Sequence, residues 1–206
     1  MDLATVIEAR KSIREFSSEP VSLQDIKEII RLAGLAPSIN SYQPWKYFII
    51  CNRDILNKIV IAVTSGIADM PEKASRMSKV LKNQAAWFST FFRDAPMLVA
   101  LAGHSYETDI EKGVTLTHEE LERIMNFPDL QSAGASIQNL LLAATERGYG
   151  TCWMTGPLYA KEEIEKILDI QLPWHLISFV AIGKPAKIEQ KRRTRRNLAD
   201  EMVVID

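Results

Sequence analysis

A long apolar stretch after Asp129 constrains the fold more than any other feature of this sequence. Its apolar residues recur at intervals of three and four, which predicts a helix that begins at Asp129 and ends at Gly148. One face of this helix carries Leu130, Ala133, Ile137, Leu140, Leu141 and Ala144. Because Leu142 and Ala143 extend the apolar surface around almost the whole circumference, we expect this helix to be buried on more than one side.

The composition is that of one globular domain. Of the 206 residues, 47% are hydrophobic and 25% are charged, close to the values of an average soluble domain. The two cysteines, Cys51 and Cys152, are too few for a disulfide framework, which favours a reducing, cytoplasmic compartment. The longest apolar run, residues 95–103, is far shorter than the roughly 18 residues of a membrane helix. The N-terminus shows no secretory signal, so we expect no membrane partner.

Helices and short buried strands do not alternate regularly along the chain, which predicts one α+β domain over residues 1–206. Strands are predicted at 47–51, 97–102, 151–154 and 176–182, and an amphipathic helix at 161–168. Four further helices are predicted from their start signals. These signals are Ser22 with Asp25 as a capping box, Asp54 as the cap of a helix to about Thr64, Pro71 opening a longer helix, and Thr117 with Glu120 capping a short helix through Met125.

The charge of the chain is nearly balanced but unevenly distributed. A formal net charge of −1 argues against a protein that functions on nucleic acid. Residues 184–196 nevertheless carry seven basic residues against a single acidic one, Glu189. This segment is expected either to meet an anionic partner or to remain a solvated or nucleic-acid-seeking tail.

The segment from Arg10 to Arg14 is a candidate anion site. If it is extended, alternation places Arg10, Ser12 and Arg14 on one face. Two guanidinium groups beside a hydroxyl suit a phosphate, because arginine pairs with phosphate oxygens through two parallel hydrogen bonds. The alternative is a solvated charged turn after the first helix.

Two further segments could meet a ligand. Residues 36–45 form a polar loop bracketed by two prolines, which either presents hydrogen-bonding groups to a ligand or is an ordinary turn with Trp45 as a core residue. Residues 148–157 cross a strand and emerge at Thr155-Gly156, where a backbone N–H could approach a planar ligand; a plain Gly-Pro turn is the alternative. The three histidines lack metal-ligand spacing, so no metal site is expected.

In this order, these segments resemble the nitroreductase family of FMN-dependent oxidoreductases. The resemblance rests on Arg10-x-Ser12-x-Arg14, the APS and QPW motifs of residues 36–45, the 138–144 helix that runs into GYGTCWMTG, and an arginine-rich segment before Leu198. It implies a helix-flanked central sheet in an interlocked homodimer, with FMN at the subunit interface. The C-terminal arm, residues 184–206, would then reach the partner subunit and use residues 202–205 as an exchanged strand.

The resemblance also implies a set of cofactor-binding residues. Arg14 would lie near the flavin pyrimidine, and Thr155-Gly156 near flavin N5. The family's usual Asn, two residues before the Gln, is Ser41 here and Asn40 stands one place earlier, so both are candidates for that contact. The phosphate and ribityl end is assigned to Arg10, Ser12, Arg193 and Arg195, with Lys11 in the same motif, and the ring-lining loop to Pro37, Ser38, Asn40 and Gln43.

The implied activity is that of an NAD(P)H-dependent flavin oxidoreductase with ping-pong kinetics. NADH or NADPH would give a hydride to flavin N5, and a small nitroaromatic or quinone-type acceptor would then take its place. No side chain would act as a catalytic acid or base, and Arg14 would give electrostatic support. Alternatives are dehalogenation or flavin fragmentation on the same scaffold, or a non-catalytic binding module with a basic tail. The aromatic residues of segment 87–92 either shape the substrate cavity or form a core cluster.

Overall fold

A four-stranded antiparallel sheet forms the centre of the molecule. The computed structural model describes residues 2–71, 73, 75–187 and 201–205. Its strands are β1 (Trp45–Ile50), β2 (Met97–Gly103), β3 (Gly150–Met154) and β4 (His175–Gly183), in the order β1-β2-β4-β3. Each strand is antiparallel to its neighbours. All four predicted strands are therefore present, each longer by one or two residues than the sequence predicts.

Helices cover both faces of this sheet, which confirms the predicted α+β class. Short 3₁₀ segments, among them Phe91–Asp94 and Gly156–Ala160, connect the longer elements. Within the described part of the chain the α-helices are α1 (Leu3–Ala9), α2 (Leu23–Ala33), α3 (Arg53–Ala68), α4 (Arg76–Thr90), α5 (His118–Ile124), α6 (Pro128–Glu146) and α7 (Lys161–Ile167).

The sheet separates two hydrophobic cores, because successive side chains of a strand point to opposite faces. In β2, Leu98 and Ala100 pack with residues of α3 and α7. Val99 and Leu101 point the other way, into a core built with α2 and α6. Every residue of β2 is buried. Since both faces of the sheet are covered, its central strands are continuous apolar runs, as the sequence predicts.

The apolar helix of the sequence is α6, and it is only partly covered by its own chain. It ends as predicted before Gly148, whose φ of +73° belongs to the left-handed region that favours glycine. Ile137, Leu140 and other members of the predicted face are buried against α2 and the sheet. Leu130, predicted to lie on that buried face, is 44% exposed, although Asp129 in the same first turn is buried. The predicted burial on more than one side is thus incomplete within one chain.

Two predicted helix starts are wrong by a few residues. Helix α3 is capped by Asn52, not Asp54: the Asn52 side chain accepts hydrogen bonds from two backbone N–H groups of the first turn, and the helix continues to Ala68 rather than Thr64. Helix α4 is not opened by Pro71; Ser75 caps it and accepts a hydrogen bond from the Ser78 N–H. For α4, the Ser75 hydroxyl is a capping group that Pro71 lacks, whereas for α3 Asn52 and Asp54 are equally good caps and packing selects between them.

The two predicted capping boxes differ in outcome. Thr117 and Glu120 form the reciprocal pair at the start of α5. At the start of α2, Ser22 accepts a hydrogen bond from the Asp25 N–H, but the Asp25 carboxylate does not bond back. It accepts instead a 2.6 Å hydrogen bond from the Tyr149 hydroxyl, which in turn accepts from the Ser22 N–H. Tyr149 therefore fixes α2 to the chain between α6 and β3.

We predict that Tyr149→Phe destabilises the protein by about 1–3 kcal/mol, because the substitution leaves the half-buried Asp25 carboxylate without its hydroxyl donor. Urea unfolding of the variant measures this loss. The matched control is Tyr159→Phe, since Tyr159 is 52% exposed, and a surface change of this kind shifts stability by no more than about 0.5 kcal/mol. Equal losses in the two variants would contradict the assignment.

Candidate functional site

The N-terminal segment lies against the edge strand β3. Ser12 forms a parallel bridge with Thr151, and the Ile13 N–H donates a 2.8 Å hydrogen bond to the Thr151 carbonyl. Ile13 is buried against Gly150, where an added Cβ would lie 2.7 Å from the Ile13 Cγ1. With Ile13 turned inward, the side chains before and after it, at Ser12 and Arg14, are free to face outward as alternation predicts.

Arg10 and Ser12 line a cleft of about 440 Å³, here called the Arg10 cleft. Arg10 is half-buried and forms no ion pair within the described residues. The Thr151 side chain is 1% exposed and its hydroxyl has no hydrogen-bond partner among the described residues. An orphaned buried hydroxyl costs about 1–3 kcal/mol, so a ligand that bonds to it is favoured. The lining residues are Ile7, Arg10, Ser12, Gln138, Leu141, Thr151 and Trp153.

Arg14 lies in a second cleft, of about 300 Å³, here called the Arg14 cleft. The guanidinium carbon of Arg14 is 6.0 Å from the ring centroid of Phe88 and 5.9 Å from that of Phe91. These distances are at the outer limit of cation–π attraction, which holds the charge over the aromatic wall. The cleft is lined by Arg14, Ala85, Phe88, Ser89, Phe91, Cys152, Trp153, Met154, Gly156 and Tyr159.

Trp153 connects the two clefts, and the sequence prediction missed it. Its side chain lines both of them and is 43% exposed. The indole N–H donates to the Ser178 hydroxyl, which itself donates a 3.0 Å hydrogen bond to the Met154 carbonyl. The ring lies over Gly134 of α6, 3.7 Å from the position of an added Cβ. The fixed indole thus forms a wall that both clefts share. In β3, Trp153 stands between the buried Cys152 and Met154 and therefore points to the opposite face of the strand; this alternation is the sequence signal that could have revealed it.

The buried thiol of Cys152 does not take part as a nucleophile. Burial raises the pKa of Cys152, and this outweighs the opposing effects of the Arg14 charge and the Ser12 hydroxyl. The thiol therefore remains protonated at neutral pH and is a weak nucleophile. Its role next to the Arg14 cleft is packing.

Gly156 allows a close approach between β3 and α4. It begins the 3₁₀ segment Gly156–Ala160, directly after the exposed Thr155. An added Cβ would lie 2.4 Å from the Ser89 Oγ and 3.1 Å from the Ser89 Cβ. Any other residue at position 156 therefore forces the Ser89 side chain to move, and Gly156 presents only its backbone to the Arg14 cleft.

The predicted ring-lining loop is held in an unusual backbone conformation. Asn40, Ser41 and Gln43 have φ values of 43°, 56° and 54°, in the left-handed region. Three hydrogen bonds fix this shape. The Ser38 hydroxyl accepts from the Gln43 N–H at 3.0 Å. The Ser132 hydroxyl of α6 accepts from the Ile39 N–H, and the Asn40 amide donates 2.6 Å to the Tyr106 hydroxyl.

This loop is not brought to either cleft within one chain. Pro37, Ser38, Asn40 and Gln43 line neither the Arg10 cleft nor the Arg14 cleft. The loop is tied to α6 at Ser132, six residues before the position at which α6 meets the Arg10 cleft, or about 9 Å along the helix axis. The predicted site residues thus include one group that lines the two clefts and a second group, the ring-lining loop, that lies away from them.

The basic segment is described only at its start. The Pro185 backbone pairs with Phe16, and the Ala186 N–H donates a 3.0 Å hydrogen bond to the Glu15 carbonyl, so the basic segment starts beside the N-terminal segment of the same chain. Lys11 lies half-buried between Arg10 and Ser12. Arg193 and Arg195 lie outside the described residues. Residues 202–205 are strongly exposed and are not in a strand within the described chain.

Both interpretations of the 87–92 aromatics hold for different members. Phe91 and Phe92 are buried in the core on the α3 side of the sheet. Trp87 and Phe88 are exposed, and Phe88 lines the Arg14 cleft. No three His, Cys, Asp or Glu side chains of the described residues meet as a metal-binding group. No helix in the described ranges is long and apolar enough to cross a bilayer.

The chain belongs to the nitroreductase family: the sequence profile of that family matches residues 7–184. The matched range includes both clefts and the ring-lining loop. This confirms the family resemblance that the ordered motifs predict, and it places the fold among helix-flanked antiparallel sheets of this family.

Three similar proteins illustrate the range of the family. A BluB-like flavoprotein from Clostridium difficile 630 superposes with a TM-score of 0.90 at 29% identity, over 100% of both chains. MhqN of Bacillus subtilis strain 168, provisionally named an NAD(P)H nitroreductase, is 23% identical over 199 residues, 96% of each chain. An oxidized iodotyrosine deiodinase bound to FMN and 3-iodo-L-tyrosine has a TM-score of 0.69 at 21% identity, over 100% of this chain and 98% of the other. The last likeness concerns the fold alone.

We predict that Gly156→Ala destabilises the protein by about 1–3 kcal/mol, because the new methyl group overlaps Ser89. Ser89→Gly removes the overlapped side chain, so the double variant should recover part of the loss after the cost of Ser89→Gly itself is subtracted. A double-mutant cycle in urea unfolding should give a coupling above about 0.5 kcal/mol. Strict additivity would show that the contact does not limit position 156.

Proposed function

We propose that the protein is an FMN-dependent oxidoreductase that passes reducing equivalents from NADH or NADPH to a small oxidised acceptor. The observation that carries this proposal is the pair of clefts on either side of Trp153. One holds an arginine and a buried hydroxyl that have no partner among the described residues, and the other holds an aromatic wall and the Gly156 backbone. The flavoprotein and the FMN-bound deiodinase among the similar structures support it.

The Arg10 cleft fits the phosphate end of the cofactor. Arg10 supplies a guanidinium with no other partner in the described chain, and Ser12 supplies a hydroxyl beside it. The buried Thr151 hydroxyl, which the sequence prediction did not include, would gain the bond partner that it lacks. No Asp or Glu lines this cleft within the described residues, so nothing there repels a dianion.

The Arg14 cleft fits the flavin ring. When bound, FMN supplies the N5 atom that accepts a hydride and the two electrons that reduce the acceptor. Gly156 lines this cleft and Thr155 directly precedes it, so we assign their backbone to the position of N5. The Arg14 charge would favour the electron density that the pyrimidine gains on reduction, because a fixed cation in a half-buried cleft requires no reorganisation. With Cys152 protonated and no carboxylate among the described lining residues, the protein positions and polarises rather than transfers protons.

In this proposal the residues of the ring-lining loop, Pro37, Ser38, Asn40 and Gln43, belong to the site of the partner subunit. We propose a homodimer in which the ring-lining loop of each chain completes the cofactor site of the other. Apolar side chains that one chain leaves exposed support this dimer. They are Leu130 of α6 and Leu3 and Ile7 of α1, and Ile7 lines the Arg10 cleft. Residues 1–206 would form one FMN-binding domain, whose arm, residues 184–206, reaches the partner and brings Arg193 and Arg195 to the phosphate. A cytoplasmic location also stays a prediction; both cysteines are free.

The proposal has a main form and alternative forms, which differ in the acceptor that is reduced. Nitroaromatic or quinone-type acceptors are the main form, supported by the nitroreductase name of MhqN. Dehalogenation is favoured by the deiodinase fold neighbour, and flavin fragmentation is a further alternative. Turnover of the purified, FMN-reconstituted protein with each acceptor class separates them. A colourless protein that cannot be reconstituted with FMN would leave only a non-catalytic module with a basic tail.

We predict that substitution of Arg10 impairs FMN binding, whereas substitution of Arg14 impairs reduction of the bound flavin. Arg10→Ala should weaken FMN binding by roughly 10- to 150-fold, since a hydrogen bond to a charged group contributes about 1.5–3 kcal/mol. Its turnover should recover in excess FMN, because phosphate binding is the same in the ground and transition states. Arg14→Gln should instead lower the reduction potential of the bound flavin and slow its reduction at saturating FMN. FMN titration and stopped-flow reduction measure both effects. Normal reduction kinetics in Arg14→Gln would disprove its role.

We predict that each site draws on two subunits, and mixed dimers test this. Subunits with Arg10→Ala and subunits with Gln43→Ala are each expected to bind FMN poorly as homodimers. After unfolding and refolding together in equal amounts, about a quarter of the sites should regain normal affinity, because half of the dimers are mixed and each holds one intact site. If Arg10 and Gln43 serve the same chain's site, mixing restores nothing. A stable, FMN-saturated monomer in sedimentation would contradict the dimer itself.

A further inference from the structure

We propose that the physiological acceptor is an aromatic molecule with a net negative charge, selected by the basic surface around the Arg14 cleft. The inference rests on the proposed function, because it concerns the molecule that is reduced in that cleft. It combines the charge of α4 and its flanks with the aromatic wall that α4 presents to the cleft.

The segment around α4 is basic throughout. Residues 73–93 contain five basic residues and no Asp or Glu. Lys79 is exposed. Lys82 donates to the carbonyls of Ala68 and Met70, at 2.7 and 2.8 Å, which fixes its charge beside the end of α3. The acids nearest in sequence are Glu72 directly before this segment and Asp94 directly after it. The five basic residues are Lys73, Arg76, Lys79, Lys82 and Arg93.

This positive segment carries the aromatic wall of the cleft. Phe88 is 44% exposed and Tyr159 52% exposed, and both line the Arg14 cleft together with the Arg14 guanidinium. No carboxylate lines that cleft within the described chain. Glu162 and Glu163 follow Tyr159 closely but line a different groove, between α3 and α7. An aromatic ring can therefore stack beside Phe88 and Tyr159, with Arg14 as the charged group that lines the cleft within the described chain.

The charge of Lys79 can act on a ligand that approaches the Arg14 cleft when the ionic strength is low. Lys79 stands nine residues before Phe88, about 13 Å along the helix axis and on the opposite face of α4, so it acts on the cleft as a long-range charge and not by contact. Charges at that distance are felt within the Debye length of about 30 Å in 0.01 M salt, and are screened in 1 M salt, where it is about 3 Å. Steering of this kind changes association rates by factors of about 10 to 1,000. It favours an anion and opposes a cation, whereas a zwitterion such as an amino acid gains little net attraction.

The experiment uses flavin-reduced holoenzyme and three nitroaromatics whose charge is separated from the ring by a methylene group. They are 4-nitrophenylacetate, 4-nitrobenzyl alcohol and 4-nitrobenzylammonium. Stopped-flow reoxidation gives a second-order rate constant for each without involving NAD(P)H. In 0.01 M salt the anion should react at least about tenfold faster than the cation, with the alcohol between them, and the ratio should fall to about twofold or less in 1 M salt.

A matched pair of charge reversals locates the source of the effect. Lys79→Glu should lower the anion-to-cation ratio by at least about threefold in low salt, because it places a negative charge on α4. Lys27→Glu makes the same change in net charge on the exposed surface of α2, across the sheet, and should leave the ratio unchanged.

The outcomes separate this inference from the function on which it rests. Equal rates for the three acceptors with an active flavoenzyme would overturn the inference alone. Equal effects of Lys79→Glu and Lys27→Glu would show that net charge, not the α4 surface, selects the acceptor, and would also overturn it. A protein that binds no FMN would overturn both the proposed function and the inference.

Discussion

The pairing of residues 12 and 13 with the edge strand β3 is the contact on which both clefts depend. It places Ile13 in the core beside Gly150 and directs the arginines of the segment outward. An unpaired edge strand offers free N–H and C=O groups to other chains. Here the N-terminal segment occupies part of that edge. Because side chains alternate along both the N-terminal segment and β3, one surface carries Arg10, Thr151, Trp153 and Arg14. The site is therefore a consequence of how one edge of the sheet is closed.

A second constraint is that one chain does not complete this surface. Helix α6 is covered by α2 and the sheet along one side but leaves Leu130 exposed, and the strained loop at residues 40–43 is held against its first turns, away from both clefts. Strained backbone persists where surrounding contacts hold it, and such strain is common at binding sites. The dimer that we propose around α6 would account for both observations, since it would cover the helix and give each loop a site to complete.

The sequence predicts the elements of the fold better than their arrangement. Strands such as residues 97–102 are evident because burial on both faces leaves continuous apolar runs. Their order in the sheet depends on contacts distant in sequence and is not encoded in any local pattern. Asp54 and Asn52 are equally good caps two residues apart, so the choice between them is made by packing. Thr151 is absent from the prediction because only the tertiary structure shows a hydroxyl without a partner, whereas alternation along β3 could have indicated Trp153. Alternation places Arg10, Ser12 and Arg14 on one face, and each of them lines one of the two clefts, because alternation is a local property.

The central claim is that one flavin spans both clefts, with its phosphate at Arg10. Equilibrium titration of the wild type and Arg10→Ala with both FMN and riboflavin, which lacks the phosphate, tests it most directly. The account predicts that Arg10→Ala weakens FMN binding by roughly 10- to 150-fold and leaves riboflavin binding unchanged within about twofold, because the lost interaction requires the phosphate. An equal loss of affinity for FMN and riboflavin would show that Arg10 does not hold the phosphate, and would contradict the proposed orientation of the cofactor.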